Sequence, residues 1–160
     1  MSKQHSATRV VAATPDEVWA LLGDPTRHGE ADASGMVLGA VTREPLTEVG
    51  QVFTMEVVYE RESGEQLHYR TDNLVDVLEP GRAIGWRTGE VGRPPSGWAW
   101  RYLLRPVDED AGARAGATEV TLVYDWTDAT PEVVELVGLP AFGEDDLARS
   151  LASLAAAVER

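Results

Sequence analysis

Across residues 51–126 the apolar side chains recur mostly at every second position, and over the last sixteen residues they recur at helical spacing. A chain whose pattern switches from period two to period 3.6 has to bury one face of a sheet against one terminal helix. The clearest segment is 51–60, where Phe53, Met55, Val57 and Tyr59 alternate with Thr54, Glu56, Val58 and Glu60. The second set is largely polar, as expected of a sheet with one wet face. Trp98, Trp100, Tyr102 and Leu104 repeat the alternation against Ala99, Arg101, Leu103 and Arg105, and Val120, Leu122, Tyr124 and Trp126 repeat it again.

Four further segments read as strands, at 6–13, 36–44, 66–78 and 83–88. The breaks between them carry turn chemistry: Arg61 to Glu65, Glu79-Pro80-Gly81-Arg82, the Gly- and Pro-rich stretch 89–97 and the polar connection 106–117. Helix signals are confined to two places. Thr14, Pro15 and Glu17 form a capping box with Pro at the first helical position, ahead of Val18, Leu21 and Leu22. Gly23-Asp24-Pro25 ends that helix and opens another turn through Arg27 and His28. Near the other end, 131–137 forms a turn or two. From about Glu144 to Glu159, Leu147, Leu151, Leu154 and Val158 make one stripe, with Glu144, Asp145 and Asp146 favourably placed in the first turn.

Strands joined by hairpins, with the main helix segregated to the end, give an α+β chain. The expected architecture is a curved antiparallel sheet of about seven strands wrapped around the C-terminal helix, with two short helices after the first strand. The length of 160 residues fits one domain, and no linker divides it. The terminal helix alternates its leucines with Ala148, Ala152, Ala155 and other small residues. A helix so thin leaves room inside a curved sheet, or else packs close to it.

These segments resemble the helix-grip superfamily, which includes START lipid-transfer domains, birch-pollen-allergen-like proteins and bacterial polyketide cyclases/dehydrases. The resemblance is carried by Ala13 to Pro25 (ATPDEVWALLGDP), Val75 to Arg87 (VDVLEPGRAIGWR), Thr118 to Trp126 (TEVTLVYDW) and the terminal helix. It is strongest for the polyketide cyclase/dehydrase branch and spans nearly the whole chain. Many relatives place a Trp after the Asp-Pro pair, where this chain has Thr26-Arg27-His28-Gly29-Glu30. The resemblance implies a cavity between sheet and helix that holds a small apolar or aromatic molecule, polyketide- or lipid-like. The relatives include cofactor-independent cyclases and dehydrases, non-catalytic carriers or sensors, and protein-interaction modules such as the heat-shock ATPase activators.

On that reading Phe53, Met55, Val57, Tyr59, Tyr69, Trp86, Trp98, Trp100, Tyr102, Tyr124, Leu147, Leu151 and Leu154 line the cavity, with Trp126 beside them. Aromatic walls with a few polar groups suit an apolar pocket, and the same residues equally suit a filled core. Counting by twos from Leu67 puts Tyr69, Thr71 and Asn73 on one face. Asn73 there needs hydrogen-bond partners, and an edge position or a bulge would instead expose it. Tyr59, Asn73 and Tyr124 are the candidates for proton transfer. His28 joins them as an acid/base group at the cavity mouth, against the simpler reading of a surface-loop histidine. Asp32 and Ser34 do not make a triad with His28, because triad partners meet in space rather than within seven residues of chain.

Other chemistries are excluded more firmly. There is no cysteine. His5, His28 and His68 have no metal-ligand spacing, and Asp108-Glu109-Asp110 lacks the EF-hand pattern. No P-loop or dinucleotide fingerprint is present, and no cofactor is expected. The net charge of −13 is spread over both halves with no basic cluster, which argues against nucleic acid and anionic membranes. No apolar run is long enough to span a bilayer and none at the start resembles a signal peptide, so a cytoplasmic location is expected. The oligomeric state stays open, a homodimer being one option.

Overall fold

The computed structural model describes residues 2–61, 63–108, 110 and 116–159. The elements follow as β1 (Gln4–Val11), α1 (Pro15–Leu22), a 3-10 helix (Pro25–Ala31), β2 (Val37–Ala40), β3 (Val52–Glu60), β4 (Gln66–Glu79), β5 (Ala83–Glu90), β6 (Trp98–Pro106), β7 (Thr118–Asp125), α2 (Pro131–Val137) and α3 (Glu144–Val158). The seven strands form one curled antiparallel sheet in the order β1-β7-β6-β5-β4-β3-β2. This is the expected α+β helix-grip arrangement.

The local signals act as their chemistry dictates. Thr14 Oγ1 accepts the Glu17 amide at 3.1 Å, and the Glu17 carboxylate accepts the Thr14 amide at 3.3 Å, closing the capping box. Leu147, Leu151, Leu154 and Val158 are buried, and α3 lies against β1, β7 and the 3-10 helix. The alternation in β3 holds from Phe53 to Val57, all three odd positions being buried.

Several boundaries move. β1 ends at Val11, and the next amide, Ala12, is held by the Glu159 carboxylate at 2.9 Å instead of continuing the ladder. β2 has four residues, with a register shift between Val37 and Gly39 inside it. β5 runs to Glu90, two residues past the expected end. The Asp108-Glu109-Asp110 loop and the Arg61–Glu65 turn lie partly outside the described residues.

Two departures from a plain sheet set the geometry of its faces. β4 has fourteen residues, of which 66–70 pair only with β3, so the β3–β4 hairpin overhangs β5. A register shift between Val75 and Val77 then makes Asp76 the bulged residue of β4. Its carboxylate receives Arg87 Nε at 2.8 Å and Arg101 Nη2 at 2.9 Å, tying β4, β5 and β6 together on the outer face. Gly85 makes this possible. A Cβ there would lie 2.8 Å from Arg101 Cγ and 2.9 Å from the Trp100 carbonyl oxygen, so only glycine lets the arginine cross to Asp76.

Candidate functional site

Five polar side chains are buried among the described residues: His28, Thr71, Asn73, Thr88 and Thr118. Thr118 is accounted for at once, because its hydroxyl donates to the Ala13 carbonyl at 2.9 Å. The other four gather on the inner face over β3, β4 and β5. A buried polar group costs free energy unless bonded, so such a cluster needs a reason.

Asn73 is its centre. It pairs with Phe53 on one side and Thr88 on the other. Its Nδ2 donates to the Phe53 carbonyl at 3.2 Å and to Thr71 Oγ1 at 3.3 Å, while Thr88 Oγ1 donates to its Oδ1 at 2.8 Å. The amide oxygen has two lone pairs and uses one. Counting by twos along β4 does place Tyr69, Thr71 and Asn73 on one face, because the bulge falls after Asn73. Thr88 was not among the expected residues. It sits two positions from Trp86 on the same strand face, so the period-two count that chose Trp86 also pointed to it.

One strand row away is an aromatic group. Trp86 and Phe53 meet edge to face with centroids 5.2 Å apart. His28 fills the angle between them, stacked on Trp86 at 5.0 Å and 15° and edge-on to Phe53 at 5.3 Å. Its Nε2 is 2.7 Å from the Leu22 carbonyl, which makes Nε2 the protonated nitrogen of the neutral ring. Burial holds the imidazole below its ordinary titration range, against smaller opposing effects of the Leu22 bond and Asp24. His28 is therefore not a surface-loop histidine. The 3-10 helix turns it inward, with Pro25 and Ala31 buried on the same side. No triad forms: Asp32 accepts the Ser34 hydroxyl and amide and the Val37 amide, tying the exit of the 3-10 helix to β2.

The remaining aromatic residues divide by position. Trp100 and Tyr124 stack at 4.5 Å, and Phe142 packs on both. Tyr124 is fully buried, and its hydroxyl accepts the Ala141 amide at 3.4 Å. Tyr102 is buried beside Trp86, and its hydroxyl makes no hydrogen bond among the described residues. Burial raises both phenols. Asp32 pushes Tyr102 further up, and the Ala141 amide partly offsets the rise at Tyr124. Both stay neutral donors at neutral pH and do not serve as phenolate bases.

Tyr59 and Tyr69 are placed differently, at 47% and 42% exposure on the overhanging part of the β3–β4 hairpin. No strand or helix covers that part, so the inward-lining position expected of them does not hold. Of the four candidate proton-transfer residues, Asn73 and His28 fall in one region, and Tyr59 and Tyr124 do not join them. Tyr59 is six residues along β3 from the partner of Asn73, roughly 20 Å at about 3.3 Å per residue. Tyr124 is three strands from Asn73, roughly 14 Å at about 4.8 Å per strand.

Two concavities stand out among the described residues, and neither lies between sheet and α3. One, about 230 Å³, is on the outer face beside Arg87, Arg101, Asp125 and Asp128. The other, about 200 Å³, flanks the overhanging hairpin at Leu38, His68 and Tyr69. No group of three or more metal-ligating side chains occurs among the described residues.

The model of the family described as polyketide cyclase / dehydrase and lipid transport matches residues 3–159. The chain belongs to that family. Among solved structures, protein CV1439 of Chromobacterium violaceum is 21% identical with a TM-score of 0.66, covering 100% of this chain and 99% of that one. The Zhui aromatase/cyclase of a Streptomyces species is 19% identical with a TM-score of 0.61, covering 98% and 93%. At these identities the likeness shows the fold. An uncharacterized protein of Mycobacterium tuberculosis, Rv0088, is 28% identical over 116 residues, 72% of this chain. That stretch is 44% of the mycobacterial protein, so the chain matches under half the length of this curated relative. No helix among the described residues of this polyketide cyclase/dehydrase-family chain is long and apolar enough to cross a membrane.

Proposed function

We propose that the chain binds a small apolar or aromatic molecule, polyketide- or lipid-like, against the concave face of its sheet. The observation that carries this reading is the buried Thr71–Asn73–Thr88 cluster next to Phe53, Trp86 and Tyr102. A sheet face built only for stability has no use for an asparagine and two threonines where leucine and valine would pack without desolvation cost. A ligand face does use them, because apolar walls give affinity and a few polar groups give orientation. The family, whose description joins polyketide chemistry with lipid transport, supports the same reading.

Binding is favoured over catalysis by the spread of the candidate groups. Cyclisation or dehydration without a cofactor needs a proton donor or acceptor within hydrogen-bond reach of one bound molecule. Asn73 does not titrate, Tyr59 and Tyr124 lie far from it, and His28, the titratable group near it, has its Nε2 proton committed to the Leu22 carbonyl. The test is native mass spectrometry of the protein purified from its own source, beside a denatured control. The expected result is an extra mass that is lost on denaturation and is weakened by Asn73→Leu. A clean mass equal to that of the chain, with no small aromatic compound retained on titration, would count against binding.

A further inference from the structure

We infer that His28 occupies the place of a flat aromatic ring of the ligand, and that binding displaces it together with the 3-10 helix that carries it. This rests on the binding reading above and adds where the molecule sits and what must move.

The slot is defined by its present occupant. Trp86 offers a stacking face and Phe53 an edge, an arrangement that holds one planar ring. Thr88 follows Trp86 by two residues on the same face, and Asn73 is paired with Phe53. A ring in the slot thus has the Thr88 hydroxyl and the spare lone pair of Asn73 roughly 7 Å away, two residues along a strand. Tyr102, with its unbonded hydroxyl, flanks Trp86 on the other side. The matching ligand is a planar aromatic molecule with a hydroxyl or carbonyl at its edge. The hydroxyl would donate to Asn73 Oδ1, and the Tyr102 hydroxyl would donate to a carbonyl at the opposite end.

The occupant is weakly tied. Among the described residues the imidazole makes one hydrogen bond, to Leu22, and none to the sheet. β3 and β5 meet it with Phe53 and Trp86, and the charged group that bears on it is Asp24 of its own segment. Nδ1 makes no hydrogen bond to the described residues, so the single bond at Nε2 is the imidazole's only polar tie to them. Its carrier is a 3-10 helix of seven residues, longer than this poorly bonded geometry usually runs. Asp24 caps its start by accepting the Thr26 amide, and its end closes through the Asp32 amide, which donates to the Gly29 carbonyl. The segment's exit is tied to the sheet at its edge, where the Val37 amide of β2 donates to the Asp32 carboxylate, so a swing about Asp32 leaves the ladder of β3, β4 and β5 intact.

The experiment uses 2-naphthol as the probe, with wild type, His28→Phe and His28→Gly compared by fluorescence titration. In wild type, histidine NMR follows the ring itself. The expected results are a roughly tenfold weaker affinity for His28→Phe and a roughly tenfold tighter one for His28→Gly, the scale of one aromatic contact. Saturating probe should also raise the titration midpoint of His28 toward the ordinary value near 6.5 as the ring reaches water. If wild type and His28→Phe bind equally and the His28 titration stays put, displacement is overturned while binding stands. If neither wild type nor His28→Gly binds, both fall together.

Discussion

Over β1 and β7 the concave face is closed by α3, fifteen residues long, through Leu147, Leu151 and Leu154 onto Val120 and Leu122. Over β3, β4 and β5 it is closed by a seven-residue 3-10 helix through one histidine, above two threonines and an asparagine. The first half has the residue types that maximise burial. The second gives up apolar area for polar groups and is covered by a segment with little structure of its own. Fold stability and ligand recognition make opposite demands on a surface, and this sheet separates them side by side.

That division can be broken at either half. Leu151→Ala should cost about 2–5 kcal/mol by chemical denaturation, as for large-to-small changes in a close-packed core. It should leave the affinity of a bound aromatic probe within about twofold, on a scale where 1.4 kcal/mol is tenfold. A large affinity loss without unfolding would show that the halves are not separate. Asn73→Leu should cost about 1–3 kcal/mol, because it strips the Thr88 hydroxyl of its acceptor. Combining it with Thr88→Val should recover most of that stability while probe binding stays lost. Recovery of binding as well would remove these groups from the site.

His28 gives a graded test. Its value in the folded chain is depressed, so the unfolded chain binds more protons. Stability should therefore fall as pH drops below about 6.5, the ordinary histidine value, down to the folded-state value. His28→Phe should flatten that slope, as read from denaturation midpoints between pH 7 and pH 5. An unchanged slope would put the acid sensitivity elsewhere. The smallest effect is expected on the outer face, where Asp76→Asn keeps an oxygen to accept from Arg87 and Arg101 and should cost about 1 kcal/mol while leaving probe affinity alone.

The half that stabilises was legible from sequence, and the half proposed to bind was legible only in part. The leucine stripe of α3 and the capping box at Thr14 depend on neighbours three and four residues away, and both read directly. Asn73 reads from its place in a period-two count. Its acceptance of a bond from Thr88 depends on strand pairing, which periodicity does not specify. Tyr59 continues the alternation of β3 without a break, yet lies beyond the last cover, because overhang is a matter of unequal strand lengths. His28 carries no pattern at all. Its inward turn follows from a 3-10 helix whose sequence, PTRHGEA, looks like a surface loop.

The unequal length of β4 has a consequence in time as well as in space. One continuous strand begins with residues 66–70 bonded to β3 only, is bonded on both sides from Thr71 to Val75, and finishes at Val77–Glu79 bonded to β5 only. The overhanging end can fray against water while the doubly bonded middle stays locked in the core. Along this single strand the lifetime of the backbone bonds should lengthen from Leu67 toward Val75, so that the chain has a built-in gradient of opening rates. Its fast end is at the exposed tyrosines and its slow end is beneath Trp86.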